Sequence, residues 1–158
     1  MKNLLVKFGM VGDSKGKVPI AFRMKLTSSL DKSVADMTLY RKMIGSLIYL
    51  TASDPDIMFS DCYCSRFQAN SREPYMTAVK NIFRYLKQTS SLGIWYPSHS
   101  SLFVQAFLDA NLGGCGLDRT STTGGCKFLD GKLVCWQSKK QTCVSLSTAE
   151  AEYIVAAS

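Results

Sequence analysis

Three carboxylates are candidates for chemistry: Asp109, Glu150 and Glu152. Ser147 precedes Glu150 by three residues, a spacing that predicts a capping box in which Ser147 caps a helix and Glu150 bonds back to the amide of the cap. Glu150 therefore has a structural explanation. Glu152 does not, because residues two apart on a helix point about 200° apart. We expect Glu152 to share a packed helix face with three neighbours: Ala149, Tyr153 and Ala156.

Asp109 stands near the end of the segment LFVQAFLDA, residues 102–110, which is predicted to be a strand. Both sides of its alternation are apolar, which predicts a strand in the middle of a sheet covered on both faces. An acid at the end of a buried strand is a common ligand of Mg²⁺, which prefers oxygen ligands and leaves positions for substrate phosphate. The alternative is that Asp109 begins a turn, with Gly113 and Gly114 following.

The first part of the chain shows apolar residues at helical spacing. The patterns predict helices over residues 2–8 with an end at Gly9, from Thr38 onward, from Pro55 onward with Asp54 as the cap, and over residues 72–87. The predicted buried stripes are Tyr40, Ile44, Leu47 and Ile48 in the second helix, and Val79, Ile82, Phe83 and Leu86 in the fourth.

A basic row follows the predicted helix 72–87, formed by Lys80, Arg84 and Lys87 at i, i+4 and i+7. Two interpretations are open: a solvated helix face, or a track along a phosphate backbone. The net charge of +7 is compatible with nucleic acid as a partner but does not require it.

The spacing of apolar residues changes from helical to alternating after residue 92, with strand candidates at 93–97, 102–110 and 125–136. Asp130 and Gly131 predict a two-residue type I′ turn within the last of them. The chain is therefore predicted to contain a helical unit, residues 1–92, and a strand-rich unit, residues 93–158.

The six cysteines and the one histidine lack the paired spacing of a zinc site. No segment reaches the about eighteen apolar residues of a membrane span, and the first residues lack a secretory apolar core. We therefore expect an intracellular location, cytoplasmic or nuclear, with reduced and half-buried cysteines and no membrane partner.

Four segments carry a family resemblance: YRKMIGSLIYLTASDPDIMFS (40–60), AVKNIFRYLKQTSSLGIWYP (78–97), LDRTSTTGG (117–125) and CWQSKKQTCVSLSTAEAEY (135–153). They resemble, in the same order, the C-terminal part of the Pol polyprotein of copia-type LTR retrotransposons. The similarity extends over nearly all of the chain.

The resemblance implies an α+β chain. Residues 1–92 would be the C-terminal helical part of reverse transcriptase, thumb- or connection-like. Residues 93–158 would be the N-terminal part of an incomplete ribonuclease H-like domain, with three antiparallel strands and the start of the first helix. Asp109 would be its first catalytic aspartate and Glu152 its catalytic glutamate, both ligands of Mg²⁺.

The function implied by the resemblance is hydrolysis of the RNA strand in RNA–DNA hybrids, with the hybrid and the rest of Pol as partners. Two residues depart from the family pattern: Asn111 replaces an aspartate, and Asp54 replaces an arginine. The polymerase aspartates are expected upstream of this chain and the other ribonuclease H aspartates downstream, so we expect this chain alone to be inactive. The alternatives are a non-catalytic nucleic-acid-binding module and an inert retroelement remnant.

Overall fold

The computed structural model describes residues 2–10, 12, 16–21, 26–27, 31–98 and 102–157. These residues form an α+β protein with five α-helices and one three-stranded antiparallel sheet. The chain divides into two compact units, Met1–Leu92 and Gly93–Ser158. The first unit is helical, and the second contains the sheet and the last helix.

The helical unit is built from α1 (Lys2–Lys7), α2 (Met37–Thr51), α3 (Met58–Ser65) and α4 (Glu73–Gln88), with a 3₁₀ helix (Pro55–Ile57) leading into α3. Gly9 follows α1 with a left-handed φ of 68°, as expected for a residue that ends a helix. At the start of α2, the amide of Leu39 donates to Asp36 Oδ1 at 2.9 Å, which satisfies one of the free amides of the first turn. The predicted helices are thus confirmed.

The core of this unit is formed by the apolar stripes of its helices. The four residues predicted for α4 are all at most 1% exposed: Val79, Ile82, Phe83 and Leu86. In α2 the prediction holds for Tyr40, Ile44 and Leu47 but is wrong for Ile48, which is 51% exposed. Ile48 lies about 80° around the helix from Tyr40, at the margin of the stripe. Met43 lies about 60° away on the other side and is buried in its place.

Asp54 precedes the helix that begins at Pro55, as predicted, but its side chain makes no capping hydrogen bond. Pro55 has no amide, and the tighter 3₁₀ turn alters the positions of the amides that a side-chain cap would reach. Burial and the neighbouring Asp56 carboxylate raise the pKa of Asp54 instead. The predicted capping role of Asp54 is therefore wrong.

The second unit consists of β1 (Val104–Asn111), β2 (Thr122–Leu129), β3 (Lys132–Lys140) and α5 (Thr148–Ala156), with β2 between β1 and β3. Asp130 and Gly131 join β2 to β3 with φ values of 50° and 74°, the positive pair that a type I′ turn requires. The predicted hairpin is confirmed. The predicted strand at 93–97 is wrong: these residues form no strand, and the Tyr96 hydroxyl donates to the Leu133 carbonyl at 2.6 Å.

Strand β1 lies at an edge of the described sheet, and both of its faces are exposed. Phe103 and Phe107 on one side are 61% and 55% exposed, and Val104 and Leu108 on the other are 64% and 48% exposed. The alternation identified two apolar faces correctly, but a central, covered position requires further elements that the described residues do not provide. The predicted central position is therefore wrong for this part of the chain.

The six cysteines are free thiols that range from buried (Cys64 and Cys115) to exposed (Cys135 and Cys143). The predicted half-burial holds only for Cys62 and Cys126. Among the described helices, none has both the length and the apolar character needed to cross a membrane.

Candidate functional site

The candidate site lies where α5 meets the C-terminal end of β1. Asp109 is in β1, opposite Gly124 of β2, with its side chain exposed. Glu152 is in α5, and its Oε1 accepts a hydrogen bond of 3.2 Å from the amide of Ala110. Because Ala110 directly follows Asp109, the structure brings the two acids to the same end of the strand.

The hydrogen bond to Ala110 also places Glu152 at one edge of β1. Alternate residues of an antiparallel strand direct their backbone groups to opposite sides. The Phe103 carbonyl accepts from the Asp130 amide at 2.7 Å. The backbone N–H and C=O groups of the odd-numbered residues in this segment therefore point toward β2. Ala110 is even-numbered, so its amide points away from β2. Glu152, which accepts from this amide, therefore lies at the edge of β1 that is not paired with β2.

The start of α5 shows why Glu152, rather than Glu150, is available at this edge. Ser147 Oγ accepts from the Glu150 amide at 3.2 Å, which confirms the predicted cap. Glu150 Oε2 accepts from the Leu146 amide at 2.7 Å. The Ser147 half of the predicted capping box is therefore confirmed, whereas the return bond differs: Glu150 accepts from the amide of Leu146 and not, as predicted, from the amide of Ser147.

The packed face of α5 differs from the predicted face. Ala151 and Val155 are fully buried, whereas Tyr153 is 78% exposed. Ala149 and Ala156 are also exposed. The orientation is fixed by the buried Gln141, whose Nε2 donates to the Ala151 carbonyl at 3.1 Å and to the Thr123 hydroxyl at 3.4 Å. These bonds tie α5 to β2 beside Ala151, and because Ala151 and Val155 are buried while Tyr153 is exposed, the predicted face is wrong.

The chemistry of Asp109 and Glu152 fits Mg²⁺, which prefers carboxylate oxygens. A third acid, Asp118, is engaged elsewhere: it pairs with Lys140 and accepts from the Thr120 hydroxyl at 2.7 Å. Burial would raise the pKa of Asp118, but the hydrogen bonds from Lys140 and Thr120 outweigh it and hold this pKa below its usual range.

The described residues contain no group of three or more His, Cys, Asp and Glu side chains that could hold a metal ion. Asn111 ends β1, and its carboxamide lies over Gly114. The assignment of Asp109 and Glu152 as ligands of a cation therefore stays a prediction.

The basic row of α4 is half-buried at all three positions: Lys80, Arg84 and Lys87. Arg84 Nη1 donates to Asn81 Oδ1 at 2.5 Å, and Lys87 Nζ donates to the carbonyl of Gly12. Residues near the start of the chain therefore lie beside the C-terminal half of the row. The two interpretations of the row as a solvated face or a phosphate track remain predictions.

A cavity of about 570 Å³ between α1 and α2 was not predicted from the sequence. Its lining includes Lys7, Lys42 and Tyr49. Lys7 and Lys42 lie on separate helices, so no local pattern connects them. Gly45 is the signal that could have indicated the cavity, because a glycine inside a predicted helix weakens it without an evident local reason.

Comparison with known proteins shows that the chain is 33% identical over 153 residues to the mitochondrial protein AtMg00810 of Arabidopsis thaliana, covering 96% of the chain and 63% of that protein. It is 34% identical over 151 residues to the retrovirus-related Pol polyprotein from transposon RE1 of Arabidopsis thaliana, covering 96% of the chain and 10% of that polyprotein. It is 32% identical over 163 residues to the retrovirus-related Pol polyprotein from transposon TNT 1-94 of Nicotiana tabacum, covering 99% of the chain and 12% of that polyprotein.

The chain belongs to the copia-type retrotransposon Pol family, as its motifs indicated. It spans about a tenth of the length of the matched Pol polyproteins and less than two thirds of the mitochondrial relative. No family model and no solved structure matches the chain.

Proposed function

We propose that this chain is a segment of Pol that connects reverse transcriptase to ribonuclease H. Residues 1–92 would be the C-terminal helical part of reverse transcriptase, and residues 93–158 the N-terminal part of a ribonuclease H-like domain. The element order supports this proposal, since a helical unit precedes an antiparallel sheet and one further helix. The complete protein would hydrolyse the RNA strand of RNA–DNA hybrids inside the cell, in the cytoplasm or the nucleus.

The observation that carries the proposal is the hydrogen bond between Glu152 Oε1 and the Ala110 amide. It holds an acid from α5 at the residue that follows Asp109 in β1, although 42 residues separate the two bonded partners in sequence. Glu152 is also the glutamate that the capping box does not use. Two acids from different elements at one strand end are the arrangement that a site for a divalent cation requires.

Asp109 and Glu152 would hold Mg²⁺ through their carboxylate oxygens, and the remaining ligands would come from other parts of Pol and from substrate phosphate. When bound, the metal would activate water and stabilise the leaving oxygen. The contribution of this chain is positional: β1 fixes Asp109, and the Ala110 amide orients the Glu152 carboxylate. The partners would be the hybrid and the rest of the Pol polyprotein.

The metal site gives a direct test by NMR spectroscopy. We expect millimolar Mg²⁺ to shift the backbone amide signal of Ala110, because this amide bonds the Glu152 carboxylate. Binding should be weak, since two carboxylates leave most positions of the ion to water. Asp109→Asn should abolish the shift, whereas Glu150→Gln should preserve it, because Glu150 bonds the Leu146 amide. An unchanged Ala110 signal in the wild-type chain, or a shift that survives in Asp109→Asn, would contradict the site.

The basic row gives a second test, in which Lys80, Arg84 and Lys87 are all replaced by Gln. If the row tracks phosphates, hybrid affinity should fall, and the slope of log affinity against log salt should flatten by about one unit per lost contact. The matched control removes three exposed lysines elsewhere: Lys17, Lys127 and Lys139. A slope that changes no more than in this control would identify the row as a solvated face.

A second candidate is a non-catalytic nucleic-acid-binding module. It is favoured by the net charge of +7, together with the finding that the described residues contain no group of three or more side chains that could hold a metal ion. Such a module would bind hybrid equally well in Mg²⁺ and in a chelator, whereas a metal-assisted site would bind more tightly in Mg²⁺. Hybrid titrations in the two buffers, at equal ionic strength, therefore separate the candidates.

A further inference from the structure

The groove between α1 and α2 combines apolar walls with a basic rim. Its volume is about 570 Å³, within the range of about 300–1,000 Å³ typical of ligand sites. Leu4 and Leu50 contribute to its apolar lining. Lys7 and Lys42, one from each helix, line it with exposed side chains.

The two lysines keep their charge available for a ligand. Each ion pair among the described residues involves other lysines. Lys7 Nζ lies 5.3 Å from the ring centroid of Phe8, a contact that leaves its positive charge unneutralised. Two cations on opposite walls of one groove favour an anion, and a phosphate group is the anion that lysine commonly binds as a point charge.

Gly45 lines the groove in the interior of α2. Glycine in this position costs about 1 kcal/mol of helix stability relative to alanine. The fold does not require it: a Cβ placed on Gly45 would meet no atom within 4 Å, and the backbone is not left-handed. Its effect is to leave the groove open where a side chain would otherwise project into it.

Tyr49 lies one helical turn after Gly45 and also lines the groove. It is 83% exposed, so its ring is not used in the core. An exposed aromatic ring beside cationic side chains is the arrangement by which proteins bind single-stranded nucleic acid, because a base stacks on the ring while basic groups contact the backbone.

We propose that this groove binds a short single-stranded stretch of nucleic acid. One base would stack on Tyr49, and adjoining phosphates would contact Lys7 and Lys42. The site shares no residue with the basic row of α4 or with the pair of acids in the second unit. It therefore does not depend on hybrid cleavage or on a metal ion.

The test is a fluorescence-anisotropy titration of the full chain with a labelled oligothymidylate of about twelve nucleotides. Tyr49→Ala should lower affinity about tenfold, within the range measured for base–aromatic stacking. Lys7→Gln with Lys42→Gln should flatten the salt dependence by about 1.4 units, at about 0.7 per phosphate contact on a single strand. The charge-matched control, Lys17→Gln with Lys139→Gln, should change this slope by much less.

Gly45→Leu tests the groove itself, because the new side chain would project into it. We expect it to weaken oligonucleotide binding about tenfold while raising the thermal stability of the helices, since leucine is the better helix former. Gly45→Ala should raise stability and preserve most of the affinity. This pair separates a blocked groove from a damaged fold.

An abasic oligonucleotide of the same length provides the remaining control, because Tyr49→Ala should then have no effect. The proposal is overturned if Gly45→Leu binds as tightly as the wild-type chain, if the Lys7 and Lys42 changes match their control, or if Tyr49→Ala weakens abasic and normal strands equally. None of these results would alter the salt dependence assigned to Lys80, Arg84 and Lys87. Failure of this groove is thus distinguishable from failure of the function proposed above.

Discussion

The purified 158-residue chain is expected to release no RNA fragments from a labelled RNA–DNA hybrid, in either Mg²⁺ or Mn²⁺. Two-metal hydrolysis needs ligands that place one ion beside the attacking water and another beside the leaving oxygen. Asp109 and Glu152 are the two proposed ligands, and the described residues contain no group of three or more side chains that could hold a metal ion. Asp118 is occupied by Lys140. Two acids can contribute ligands to one metal ion, but they cannot supply the ligands of both ions that two-metal hydrolysis needs.

A denaturing gel of hybrid labelled on the RNA strand measures this prediction. Asp109→Asn and Glu152→Gln distinguish activity of the chain from contaminating ribonuclease, because contamination persists in both variants. Fragment release by the wild-type chain that disappears in each variant would overturn the prediction. Such a result would show that substrate phosphate and water supply the metal ligands that Asp109 and Glu152 do not.

The sequence predicted those features that depend on neighbouring residues. Asp130 and Gly131 specify a tight turn through their own backbone preferences, and Ser147 caps α5 through an amide three residues away. The stripe of α4 was also predictable, because Val79 and its partners repeat at regular helical spacing across the whole element. In each case the information is local, and tertiary contacts reinforce it.

The features that were missed depend on contacts between distant residues. The packed face of α5 is set by Gln141, whose hydrogen bond to the Ala151 carbonyl cannot be derived from the helix sequence. Strand β1 has two apolar faces, but its exposure depends on elements elsewhere, and each large apolar side chain left in water forgoes about 1.5–3 kcal/mol of burial. In the candidate site, the capping pattern predicted that Glu152 rather than Glu150 would be available. The hydrogen bond from the Ala110 amide to Glu152 could not be predicted from the sequence.

A buried acid in the helical unit was also not predicted from the sequence. Asp61 in α3 is 3% exposed, and its Oδ1 has no hydrogen-bond partner among the described residues. Burial raises the pKa of Asp61 to about 7. Burial, with a smaller contribution from the Asp61 charge, likewise raises the pKa of the Cys64 thiol to about 12. The fold therefore favours the neutral form of this carboxyl group.

The raised pKa makes the stability of the helical unit depend on pH. In the unfolded chain Asp61 ionises near its ordinary pKa of 3.8, whereas in the folded chain it keeps its proton up to about pH 7. Between these values the folded state binds more protons than the unfolded state, so stability falls as the pH rises from about 4 to about 7. Above pH 7 both states are ionised, and the loss, on the order of 4 kcal/mol, is complete.

Replacing Asp61 by Asn is expected to remove most of this loss, because the amide is similar in shape and carries no charge. At pH 8 the free energy of unfolding should rise by about 2–4 kcal/mol, the lower figure allowing for the cost of burying an amide. At pH 4 it should change by much less, since Asp61 is then largely protonated in the folded state.

The control is Asp31→Asn, because Asp31 has a side chain that is 72% exposed. Urea unfolding followed by circular dichroism at 222 nm reports mainly on the helices, whereas Trp95 and Trp136 report by fluorescence on the second unit alone. A gain at pH 8 that is confined to the helical signal and absent at pH 4 is the expected result. An equal change at both pH values would show that Asp61 is ionised throughout and that its burial does not control its charge.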